Sequence, residues 1–146
     1  MRRLILLVLA LLFIAACAPT SGPEKKALFI QASQGQVEVA IDVVSTPQDR
    51  SRGLMFREQL GEREGMWFVF EESSPYSFWM KNTLMPLDIV FVDEHMAIVD
   101  IIQADPCQQD PCPTYTPKAS ARYVLEVNQN FTARAGVKAG NRVTVR

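Results

Sequence analysis

The chain has 146 residues, a formal net charge of −1 and 48% hydrophobic residues. That length suits one domain with a sizeable core. A near-neutral, slightly acidic balance gives no general attraction to nucleic acid or to anionic lipid, which excludes both as charge-driven partners.

Residues 1–16 read as a signal peptide. Arg2 and Arg3 are positive, Leu4 to Ile14 is an unbroken apolar run, and the small residues Ala15 and Ala16 precede Cys17. The run is short for a hydrocarbon core of ~30 Å. The ending Ile14-Ala15-Ala16-Cys17 resembles the bacterial lipobox, which implies cleavage before Cys17 and its lipidation. An ordinary secretory peptide cleaved nearby is the alternative. Ala18, rather than aspartate, follows the cysteine, so the same resemblance favours the outer membrane where the host has one. Residues 17–26 hold Pro19, Gly22 and Pro23 and read as a flexible tether. Loss of Arg2 and Arg3 takes the charge to −3. Membrane attachment would then rest on the lipid at Cys17, in the cell envelope outside the cytoplasm.

Residues 27–146 form the domain. Leu28 to Ala32 is a predicted strand, Gln34-Gly35-Gln36 a turn, and Val37 to Val44 a second strand alternating Val37, Val39, Ile41, Val43 against Glu38, Ala40, Asp42. A helix starts after Thr46, with Pro47 in its first turn and Asp49 as a box-like acid, and is expected to reach Leu54–Phe56. Met66 to Phe70 is a strand buried on both sides. Glu71 to Pro75 reads as a loop, then Tyr76 to Met80 and Leu87 to Val92 as strands. A turn at Asp93-Glu94-His95 leads into the hairpin partner Met96 to Ile102. A proline-rich loop, Asp105 to Lys118, carries Cys107 and Cys112. Arg122 to Asn128 is a strand, Gln129 to Ala135 one or two helical turns, and Arg142 to Arg146 the last strand. This is a mainly β pattern: a compact sandwich or barrel of about seven to nine short strands with one or two short helices.

Between two apolar segments lie Lys81, Asn82 and Thr83, and buried polar groups need partners. Asp88 shares a strand face with Val90 and Val92; Glu126 shares one with Val124 and Asn128. A carboxylate in an apolar strand needs a cation or several N–H donors. Arg52 and Lys81 are the candidate cations. The set Arg52, Lys81, Asn82, Asp88 and Glu126 is therefore either an ion-paired core that fixes register or a pocket for an anionic or hydroxylated small ligand. Acid–base catalysis by Asp88, Glu126 and Lys81 is a third option. Cys107 and Cys112, in an oxidising compartment, are expected to form a disulfide, with thiol–disulfide catalysis as the lesser alternative. No metal or other cofactor is expected. His95 reads as an exposed turn residue. Trp67, Trp79, Phe68, Phe70 and Phe78 read as core rather than as a sugar platform, and the scattered methionines as gap fillers.

Taken together, Arg52-Gly53-Leu54-Met55-Phe56-Arg57, Gly65-Met66 with Phe68 and Phe70, Phe78-Trp79-Met80-Lys81-Asn82-Thr83, Pro86-Leu87-Asp88-Ile89, Tyr123-Val124-Leu125-Glu126-Val127 and Gly136-Val137-Lys138-Ala139-Gly140 resemble domain-of-unknown-function family 192 in order and spacing. The resemblance implies a compact, mainly β domain, often exported or lipid-anchored, and implies no activity. The expectation is an exported, lipid-anchored monomer with a binding or structural role in the envelope, rather than an enzyme.

Overall fold

In the computed structural model of the protein the described residues are 25–146. The expected signal peptide, Cys17 and all of the tether before Lys25 lie outside them. Nine strands form: β1 (Lys26–Ala32), β2 (Gly35–Val44), β3 (Glu64–Ser74), β4 (Phe78–Trp79), β5 (Leu87–Val92), β6 (Ile98–Ala104), β7 (Thr114–Tyr115), β8 (Ala121–Asn128) and β9 (Arg142–Val145). The two short helices are α1 (Pro47–Arg52) and α2 (Phe131–Arg134). The mainly β expectation holds.

Seven strands make one curled, half-barrel sheet in the order β6-β5-β8-β3-β2-β1-β9. Pairing is antiparallel except for β2 with β3. The parallel pair is possible because α1 and the loop after it carry the chain back across the sheet. An isolated bridge between Ala97 and Arg142 ties the start of β6 to β9, bringing the two ends of the strand order together. The concave face is filled from all seven strands, by residues including Leu28, Ile41, Trp67, Val90, Ile98, Leu125 and Val143, and α2 adds Phe131.

The convex face of the central strands is also buried. Met66, Phe68, Leu87, Ile89, Phe91 and Val124 face outward there and are covered by Leu54, Leu60, Met80 and Met85 from the excursions between strands. The central parts of β3, β5 and β8 are therefore sandwiched, which is why β3 is apolar throughout Met66–Phe70 and β5 at every position but Asp88. Burial of this kind stabilises by ~25 cal/mol per Å2 of apolar surface.

Local chemistry explains the elements. Thr46 Oγ1 accepts from the amide of Asp49 at 3.1 Å and donates to the Asp49 carboxylate at 2.6 Å, so the expected cap closes on itself. The helix ends earlier than expected, at Arg52, because Gly53 leaves helical space with φ 48°. Glycine is needed there: a Cβ would stand 3.3 Å from the Phe68 ring. The loop expected at Glu71–Pro75 is instead strand through Ser74, with an irregularity between Val69 and Ser74. The strand expected at Tyr76–Met80 contracts to Phe78–Trp79, paired only with β7. Val43, expected on the core face, is exposed. His95 lies in the exposed turn before β6, as expected.

Candidate functional site

The five polar residues singled out by sequence do not form one group: Arg52 and Glu126 line one chamber, Lys81 and Asn82 line another pocket, and Asp88 lies across the sheet from Glu126. Register decides this. Asp88 pairs with Val127, and Ile89 with Glu126. Cross-strand partners share a face, so Asp88 and Glu126 lie on opposite sides of the sheet.

Asp88 is fully buried beside α2. Its carboxylate accepts from the Thr132 amide at 2.9 Å, the Thr132 hydroxyl at 2.6 Å, the Asn130 amide at 3.1 Å and Gln103 Nε2 at 3.3 Å. It meets N–H and O–H donors rather than a cation. Asn130 makes no side-chain cap, and Asp88 satisfies the first amides of α2 in its place. Its role is to dock α2 on the sheet.

Glu126 is different. It is 5% exposed, and no side-chain hydrogen bond or ion pair to it occurs among the described residues. Burial alone pushes its carboxyl up to about 8, so it is largely protonated at neutral pH. No sealed polar side-chain atom among the described residues lacks a partner, so the Glu126 oxygens must reach open space. That space is a chamber of ≈ 30 Å3 lined by the end of α1, Gly53–Met55, Phe68, Phe78, Trp79, Thr83 and Glu126. It is large enough for one or two water-sized groups, each needing ~10–15 Å3. Gly65 lets β3 pass close by, since a Cβ there would sit 2.7 Å from the Glu126 carbonyl oxygen.

The chamber adjoins an open groove of ≈ 310 Å3 whose walls include Phe70, Tyr76, Ser77, Phe78 and Trp79. The two share Arg50, Ser51, Phe68, Phe78 and Trp79. Arg50 is committed to structure: it donates to the carbonyls of Ser45 and Val69, the latter at 2.9 Å, and lies over the Phe70 ring at 4.9 Å. Arg52 is exposed, lines the chamber and makes no ion pair among the described residues. Lys81 turns away to Asp110 at 3.2 Å, with its ammonium 5.7 Å from the Trp79 ring centre. The exposed Asn82 adopts φ 56°, and its carbonyl accepts from the amide of Phe56, itself at φ 62°. A phenylalanine there is strained by ~1–3 kcal/mol, so the rim of the site holds two unusual turns locked together.

Cys107 and Cys112 form a disulfide. With Asp110 they are a cluster of metal-ligand type, but sulfurs bonded to each other are not thiolate ligands. The sequence reading missed Trp79, which is 47% exposed, while Trp67 is 3% exposed and stacks on Tyr123. Phe78 and Met80 turn inward, so alternation sends the residue between them out. Thr83, buried at the chamber wall, was also missed as a chamber residue.

Two solved structures are similar over most of their length. One, from Sinorhizobium meliloti 1021, is described as a "putative transcription regulator"; it is 31% identical, with 83% of this chain and 93% of that chain covered and a TM-score of 0.77. The other, a protein of unknown function from Novosphingobium aromaticivorans DSM 12444, is 31% identical, with 87% and 89% covered and a TM-score of 0.78. Comparison with curated proteins gives no match. Residues 29–145 match the model of DUF192, described as Uncharacterized ACR, and the chain belongs to that family.

Proposed function

We propose that this is an exported envelope protein, lipid-anchored through Cys17, whose domain binds a small ligand at the Glu126 chamber. The anchor rests on the order of charge, apolar run, small residues and cysteine in residues 1–17, and Ala18 favours the outer membrane. The binding role rests on one observation: a carboxyl that is 5% exposed, without a partner among the described residues, on the wall of a small chamber beside an aromatic groove. A leucine would fill this place at no desolvation cost, so an acid here points to something it contacts. Acid–base catalysis by the pair of carboxyls is disfavoured, because Asp88 is spent on α2 across the sheet. DNA binding of the kind suggested by the description of the S. meliloti relative is disfavoured by a mature charge of −3. The working unit is a monomer.

Two measurements test this reading. Palmitate labelling in cells should be lost in Cys17→Ser, and labelling that persists refutes the anchor. A thermal-shift screen of neutral and anionic metabolites should yield a ligand whose shift disappears in Glu126→Leu. A shift that survives that change removes the site.

A further inference from the structure

We propose that the ligand is a saccharide, with a sugar ring lying on Trp79 in the groove and one hydroxyl or hydroxymethyl group entering the chamber to meet Glu126. This rests on the reading of the chamber as a binding site and names its ligand.

Three observations converge. The first is the chamber itself. Its ≈ 30 Å3 admits one small polar group and no ring. A protonated carboxyl both donates and accepts, which matches a hydroxyl, itself a donor and an acceptor. It asks for no opposite charge. A cationic group entering here would meet Arg52 on the wall, and an anionic one would face a carboxyl that must keep its proton to be tolerated.

The second is Trp79. An indole that is 47% exposed would be covered if its only task were core packing. Its flat face suits the C–H face of a sugar ring, which is apolar, while the ring's edge stays polar. Trp67 performs the packing task elsewhere, inside the curled sheet.

The third is the groove. At ≈ 310 Å3 it lies at the small end of the ~300–1,000 Å3 span of ligand sites. Its aromatic walls are interrupted by Ser51 and Ser77, beside the structurally committed Arg50. Such a mixture, apolar faces with a few hydroxyl groups, is what a polyhydroxylated ring requires.

The test uses the mature protein, with isothermal titration calorimetry as the readout, so that variants at Trp79 are measured on the same footing as the native chain. Two panels are titrated: neutral and N-acetylated hexose oligosaccharides, and non-sugar alcohols, amides and carboxylates of similar size. The expected result is saturable binding of at least one oligosaccharide, weakened about tenfold by Trp79→Ala and by Glu126→Leu, the cost of one stacked ring or one hydrogen bond. Arg134→Ala, in a separate cleft, should leave binding intact. Glu126→Leu replaces an acid by a packing residue and Trp79 is at the surface, so both variants fold, which circular dichroism checks. Oligosaccharide binding that ignores both variants overturns the proposal. Binding confined to the non-sugar panel and lost in Glu126→Leu overturns the saccharide and keeps the site. Binding by neither panel overturns both.

Discussion

Replacing Glu126 by glutamine isolates the consequence of keeping a proton in the fold. The carboxyl titrates at 4.5 when free and at about 8 in the folded chain. Below 4.5 it is protonated in both states, so pH has no effect through this group. Between the two values the folded state holds one proton more than the unfolded state, and stability falls by about 1.4 kcal/mol per pH unit. Above about 8 both states are ionised and the loss is complete, on the order of 5 kcal/mol. That is a large share of the ~5–15 kcal/mol that holds a domain together. Glu126→Gln keeps the shape and removes the titration. Groups shifted the other way, such as Glu64, held low by its hydrogen bond to Lys25, are common to both proteins and cancel in the difference. Urea unfolding followed by fluorescence from about pH 5 to about pH 8 gives the test. The variant should gain ~3 kcal/mol on the native protein over that span. Curves that run parallel within ~0.5 kcal/mol would mean that Glu126 ionises normally in the fold. The neutral acid, and the ligand chemistry built on it, would then fail together.

Asp88→Asn turns an amide group toward two backbone N–H donors and should cost about 2–4 kcal/mol, seen as a fall in Tm of roughly 10 °C. A fall of under ~2 °C would mean that α2 does not depend on this carboxylate. Reducing Cys107–Cys112, which are five positions apart, should cost about 2 kcal/mol from loop closure. Hydrogen exchange should then quicken first at Met80–Thr83, because the Cys107 amide donates to the Met80 carbonyl. Two free thiols in protein taken from its own envelope would refute the bond.

Much of the fold could be read from local pattern. Thr46, Pro47 and Asp49 announced α1 because capping is decided within four residues. The bounds of β5 followed from six apolar-rich positions between a proline and an aspartate. The inward and outward faces of β5 and β8 were also legible, since period-two alternation needs only the strand itself. The site was not. Whether Asp88 and Glu126 share a face depends on how two strands slide past each other, and one residue of slip reverses the answer. That register is fixed by contacts 31 to 41 positions apart in the chain, Leu87 with Asn128 and Val92 with Tyr123 at the two extremes. Trp79 was misjudged for a related reason. A two-residue strand gives too little alternation to outweigh the apolar company around it.

The bridge from Ala97 to Arg142 and the pairing of β1 with β9 have a consequence for the order of assembly. β1 is made early and finds β2 at once through a tight turn. Its second neighbour is β9, and Leu28 waits for Val145. Closure over so long a stretch is slow, because the entropy of the intervening chain is lost before the contact repays it. Until Arg142–Val145 arrives, one edge of β1 stays bare, open to pairing with another chain. The protein is thus most vulnerable to aggregation in the interval before its last strand is added. A clipped C-terminus would prolong that state, and the damage would show at the opposite end of the sequence.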